Sequence, residues 1–123
     1  MAETLSLTLD ALPPSVNSIW RAHNGRVLKS REYRAWLVAT AIELRVQARC
    51  QQVKGWYALH AEFGRPDKRR RDLDNLLKPL SDAISEAGCI EGDWLCAKTE
   101  TEWSNRPGVR VWIISTTEPE VAA

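Results

Sequence analysis

The chain has 123 residues, 44% hydrophobic and 27% charged, which suits one core and one domain rather than two. No apolar run approaches the ~20 residues of a membrane span, and the N-terminus lacks the basic-then-apolar layout of a secretory signal; the expected location is the cytoplasm, with no membrane partner. Cys50, Cys89 and Cys96 form no CxxC pair, which argues against a disulfide framework or a zinc site.

The net charge of +1 hides an asymmetry. Residues 1–71 carry thirteen Lys/Arg against six Asp/Glu, and residues 72–123 carry four against ten. The basic part calls for a polyanionic partner, and the acidic part would repel nucleic acid unless its carboxylates hold cations.

Residues 5–9 alternate apolar and polar and predict a half-buried strand. Pro13-Pro14-Ser15-Val16-Asn17 ends it, since neither proline can donate to a sheet ladder. Residues 15–29 predict a basic loop or loose hairpin turning at Asn24-Gly25. In it Trp20 stands among Arg21, Arg26 and Lys29, where an aromatic can stack on unpaired bases and the cations can hold phosphates. Ser30 is the expected N-cap of a helix reaching about Gln51. One face carries Trp36, Leu37, Ala41, Leu44 and Ala48; a second stripe of Val38, Ile42 and Val46 suggests cover on two sides, the second by another subunit. Gly55 breaks the pattern, and residues 56–63 predict a strand with Tyr57, Leu59, Ala61 and Phe63 on one face. A helix ending near Gly88 follows, then strands over 95–103 and 109–115 joined by the turn Asn105-Arg106-Pro107-Gly108. The order implies a small single α/β (α+β) domain over 1–115, with a polar tail over 116–123.

The chemistry concentrates in Lys68-Arg69-Arg70-Arg71-Asp72-Leu73-Asp74-Asn75-Leu76-Leu77-Lys78-Pro79. A proline deep in a helix costs roughly 3 kcal/mol, but only the first four helical N–H groups lack a partner. Taking Asn75 as N-cap makes Pro79 the fourth helical residue and leaves Asp72 and Asp74 in extended chain, facing the same side. Two adjacent carboxylates repel unless a cation lies between them, and Mg²⁺ suits an all-oxygen site of this kind. Lys68, Arg69, Arg70 and Arg71 would supply phosphate contacts, and Lys78 would offset charge on a phosphorane-like transition state. Together these groups describe metal-dependent phosphodiester hydrolysis.

At these residues the chain resembles the RusA family of Holliday junction resolvases. The matching elements are Pro13-Pro14-Ser15-x-Asn17, Arg70-Arg71-Asp72-Leu73-Asp74-Asn75-Leu76-x-Lys78, Asp82-Ala83, Ala87-Gly88 and an acidic turn ending at Asp93. The resemblance implies a RusA-like fold, a mixed sheet with two helices in a homodimer. It also implies a crossover junction endodeoxyribonuclease that binds four-way DNA in recombination and repair and nicks two strands symmetrically with Mg²⁺. The family's metal-binding aspartates fall on Asp72, Asp74 and Asp93 and its functional lysine on Lys78; Asn17 joins Trp20, Arg21, Lys29 and residues 68–71 as the DNA-contacting set. Where the family has two adjacent acids, this chain has Gly92 before Asp93, and Glu91 is an alternative to Asp93. The rival readings are a branched-DNA-binding protein without activity and a nuclease acting mainly on other branched DNA.

Overall fold

Alternation along residues 57–64 builds the centre of the molecule. The computed structural model describes residues 3–123. Its central strand β4 (Tyr57–Gly64) buries Tyr57, Leu59, Ala61 and Phe63, because successive side chains of a strand point to opposite faces. The other strands of its sheet are β1 (Thr4–Leu9), β5 (Cys96–Ser104) and β6 (Val109–Ser115). The sheet runs β1-β6-β4-β5, with β4 parallel to β5 and antiparallel to β6, and β1 antiparallel to β6. This is the expected mixed sheet, although β5 and β6 are not neighbours: the turn between them passes the end of β4. A parallel pair needs a crossover, and helix α2 (Asp74–Glu86) supplies it between β4 and β5.

Helix α1 (Arg31–Gln47) starts as expected, with the Ser30 hydroxyl oxygen accepting from the Tyr33 N–H. Ser30 also donates to the Ser18 carbonyl and bonds through its backbone to Ile19, closing the base of a hairpin of β2 (Trp20–His23) and β3 (Arg26–Lys29). Asn24 and Gly25 both take positive φ, 50° and 73°, as a tight hairpin turn demands. The helix stops at Gln47 rather than Gln51. Arg49 and Cys50 turn into the left-handed region at φ 54° and 57°, and the redirected chain brings Val53 into a parallel bridge with Ile90.

The core lies between one face of the sheet and the two helices, where Leu7, Leu44, Leu80, Ile84, Phe63 and Ile113 meet. Of α1's second stripe, Val38, Ile42 and Val46 are 58%, 57% and 71% exposed, so the single chain leaves it uncovered. Polar side chains fasten the elements. Arg45 donates from α1 to the Glu86 and Ala87 carbonyls at the end of α2. Gln47 accepts from the Thr8 N–H at 2.8 Å and donates to the Thr8 carbonyl at 2.9 Å. Among the described residues no helix is long and apolar enough to cross a membrane.

The turn over 105–108 crosses β4 at Gly64, whose N–H donates to the Gly108 carbonyl at 2.7 Å. A Cβ on Gly64 would be driven into the Arg106 backbone carbonyl. Gly64→Ala should therefore unseat the turn and cost about 2–3 kcal/mol, read as a melting temperature lower by roughly 8 °C or more.

Candidate active site

The N-cap position of helix α2 is Leu73, two residues before the expected cap Asn75. The Asp72 and Leu73 carbonyls accept from the Asn75 and Leu76 N–H groups, both at 3.1 Å, and Leu73 is already in the right-handed helical region. Asp74 is thus the first helical residue, and no side chain caps the helix. Pro79 lies inside the helix, six residues in, and removes the N–H that an unbroken helix would aim at the Asn75 carbonyl. The placement of Asp74 in extended chain is corrected accordingly, while Asp72 does precede the helix. With helical backbone between them the two side chains diverge instead of sharing a side.

The divergence creates two adjoining surfaces. Asp74, Lys78 and Asp82 stand four residues apart along one face of α2. Lys78 Nζ donates to Asp82 Oδ1 at 2.7 Å and lies 3.6 Å from Asp93 Oδ2. Asp93 opens a short 3-10 turn, Asp93–Leu95, anchored by buried Leu95. The Asp82 side chain is only 15% exposed, and its other oxygen accepts from the Tyr33 hydroxyl of α1 at 2.5 Å. The carboxylate of Asp82, followed by that of Asp93, raises the Lys78 pKa and keeps the ammonium charged. Burial, then Asp82, pushes the Tyr33 hydroxyl above the usual tyrosine range, so it remains a donor.

Asp72 instead lines a groove of about 920 Å³. Its walls include Pro13, Ser15 and Asn17, the strand end at Gly64-Arg65, Arg70, Arg71 and Asn75, and the turn at Asn105-Arg106-Pro107. The early proline loop and the Arg-Arg-Asp segment, far apart in sequence, face one space.

The remaining cations divide. Arg71 makes two hydrogen bonds to Asp67, at 2.5 and 3.1 Å, and Arg69 lies 3.4 Å from the same carboxylate. The Arg71 guanidinium holds Asp67 well below the usual carboxylate range. Lys29 sits over the Tyr33 ring, 5.8 Å from its centroid, and so has a partner that the sequence did not suggest. Among the described residues the side chains of Arg21, Lys68 and Arg70 make no ion pair, and of these Arg70 lines the groove. Trp20 is 53% exposed on the hairpin and does not line it. Glu91 is committed elsewhere, accepting from the Gly55 N–H at 2.6 Å, which leaves Asp93 as the acid beside Lys78.

Arg65, Arg106 and Tyr33 are absent from the residues that the sequence pointed to, and Asp82 stood there only as a matching position with no role. Arg65 and Arg106 sit in turns legible only as turns, while Asp82 carried a signal, its spacing of four from Lys78. Among the described residues one group of His, Cys, Asp or Glu has ligand atoms all within 4.8 Å, namely His60, Glu62 and Glu102. These could hold a metal ion, but Arg110 already pairs with Glu62, and His60 lies between Glu100 and Glu102 at 3.5 and 3.7 Å. They stand on the sheet face opposite the core, since His60 and Glu62 alternate with buried Leu59, Ala61 and Phe63.

The sequence model of a family described as "Endodeoxyribonuclease RusA" matches residues 11–114. A crossover junction endodeoxyribonuclease RusA of Aquifex aeolicus is 32% identical over 100 residues, covering 80% of this chain and 79% of its own. Proteins of the same name from Enterobacteria phage HK97 and Escherichia coli are 33% and 36% identical over 84 and 85 residues. These cover 66% and 69% of this chain, and 68% and 70% of theirs.

Removing the Tyr33 hydroxyl leaves a largely buried carboxylate with one donor fewer. Tyr33→Phe is expected to lower the unfolding free energy by about 1.5–3 kcal/mol, the usual worth of a hydrogen bond to a charged group, measured by urea titration.

Proposed function

The chain belongs to the RusA family of endodeoxyribonucleases, and from that premise we propose that it resolves four-way DNA junctions by Mg²⁺-dependent nicking where the groove meets α2. The observation that carries this assignment is the junction of two surfaces at Asp72. On one side Arg65, Arg70, Arg71 and Arg106 line a groove; on the other stand Asp74, Lys78 and Asp93.

The arginines of the groove grip successive phosphates of one strand, a contact that fixes position without reading sequence. Asn17, on the opposite wall, adds a neutral donor to the backbone. Asp72, Asp74 and Asp93 are all exposed and offer only hard oxygen donors. That set suits Mg²⁺, which takes one or two protein carboxylates and keeps several waters. When bound, the ion lowers the pKa of a water and offsets charge on the departing 3′ oxygen. Lys78, held charged by Asp82, places a second cation where negative charge grows on the phosphate. Trp20, Arg21, Lys29, Lys68 and Arg69 belong to the wider DNA-contacting surface in this reading.

Resolution needs two cuts on opposing strands, and a two-fold homodimer matches the symmetry of the substrate. The uncovered stripe Val38, Ile42 and Val46 supports a second copy packing on α1. The place of action is the cytoplasm, where recombining DNA forms such junctions.

Incubating the protein with a labelled four-way junction and with linear duplex, in Mg²⁺ or in EDTA, tests the reading. Paired nicks in the junction, present only with Mg²⁺, are expected; binding without nicking would instead mark an inactive branched-DNA-binding protein. Asp74→Asn should abolish nicking while keeping junction affinity at least at the wild-type level, because a negative charge beside the phosphates is gone. A variant that cuts normally removes Asp74 from the metal set. Arg70→Ala should weaken binding to junctions of any sequence and flatten the plot of log affinity against log salt by about one unit of slope.

A further inference from the structure

Trp94 follows Asp93 directly and is 71% exposed. An exposed tryptophan normally owes its place to chance, but this one is held. Its ring meets Trp56 edge to face, with centroids 5.9 Å apart and planes at 79°. On the other side it lies so close to Gly92 that a Cβ there would come within 2.7 Å of the indole Nε1 and 2.8 Å of Cδ1. Gly92 has φ −177°, an extended conformation open to any residue, so a side chain here would meet the ring rather than strain the backbone. The indole packs against Trp56 and Gly92 with most of its surface exposed, and buried Leu95 anchors the turn that carries it.

We propose that Trp94 is a stacking platform for a nucleobase unpaired at the branch point, beside the scissile phosphate; the inference rests on the junction-resolving reading above. One structural observation and two general properties of nucleic acids point to a base as the occupant. Trp94 shares its short 3-10 turn with Asp93, which lies 3.6 Å from Lys78, so the exposed ring stands on the same turn as the acid of the proposed cutting site. An indole face accepts any base, because every base has a π-face. At a four-way crossing the continuous stacking of the arms is broken, so a flanking pair can open and free a base at a smaller cost than in continuous duplex.

The test uses junctions that carry 2-aminopurine at single positions flanking the crossing, whose fluorescence falls when the base stacks on an aromatic ring. Wild type, Trp94→Leu, Trp94→Phe and Gly92→Ala are each bound to them in EDTA, and nicking in Mg²⁺ is followed in parallel. At one flanking position the complex with Trp94→Leu should be brighter than with wild type. Junction affinity should fall about tenfold, in line with the loss of one base–aromatic stack, while affinity for linear duplex stays unchanged. Trp94→Phe should recover most of both signals, and Gly92→Ala should reproduce part of the loss by pushing the ring aside. Equal brightness and equal affinity for wild type and Trp94→Leu would overturn the proposal, as would a change in oligomeric mass alone, which would make the ring a contact to a second copy. If wild type fails to nick the junction in Mg²⁺, the junction-resolving reading falls instead, whatever the variants do.

Discussion

Asp82 is the constraint on which the site depends. Its carboxylate is mostly withdrawn from water and accepts from two donors on different helices, the Tyr33 hydroxyl and the Lys78 ammonium. A withdrawn charge that loses a donor is destabilised by about 1.5–3 kcal/mol, so the arrangement ties the two helices together and holds the Lys78 ammonium beside Asp82. Tyr33 is placed in turn by its N–H bond to the Ser30 cap, and Ser30 closes the hairpin through Ser18 and Ile19. A continuous chain of polar contacts therefore runs from the base of the hairpin to Asp93.

The asymmetry of charge also takes a different physical form from a simple basic patch meeting an acidic one. Asp67 engages Arg71 and Arg69, so part of the arginine run is already neutralised before any DNA arrives. The groove draws its cations from three separate segments, Arg65 after β4, Arg70 and Arg71 before α2, and Arg106 in the last turn. Bringing them together is the work of the crossing at Gly64, where two backbone segments touch with no side chain between them.

Much of this was legible in the residues themselves. Alternation at 57–63 placed the inner face of β4, Asn24-Gly25 the hairpin of β2 and β3, Ser30 the helix cap, and the spacing around Asp72 the family. The start of α2 was not, because the rule that keeps proline out of helix interiors is a local energy of a few kcal/mol, and the packing of Leu76, Leu80 and Ile84 into the core outweighed it. The sheet order was not legible either. Periodicity tells which face a strand buries, but nothing in it says that β4 will insert between β5 and β6. The pairing of Asp67 with Arg71 had the right spacing of four, yet it forms in a non-helical stretch where that spacing carries no expectation.

Gln47 has a consequence beyond fastening α1 to the sheet. Strand β1 lies at the edge of the sheet, and an edge strand offers its spare N–H and C=O groups to any extended chain that comes near. At Thr8 both groups are taken by one side-chain amide, which imitates a neighbouring strand for the length of a single residue. A foreign strand trying to zip along β1 meets a break in its ladder there. The opposite edge, β5, carries Lys98, Glu100 and Glu102, charges that a second sheet would have to strip of water. The amide of Gln47 and these charges together guard the protein against polymerising through its own sheet.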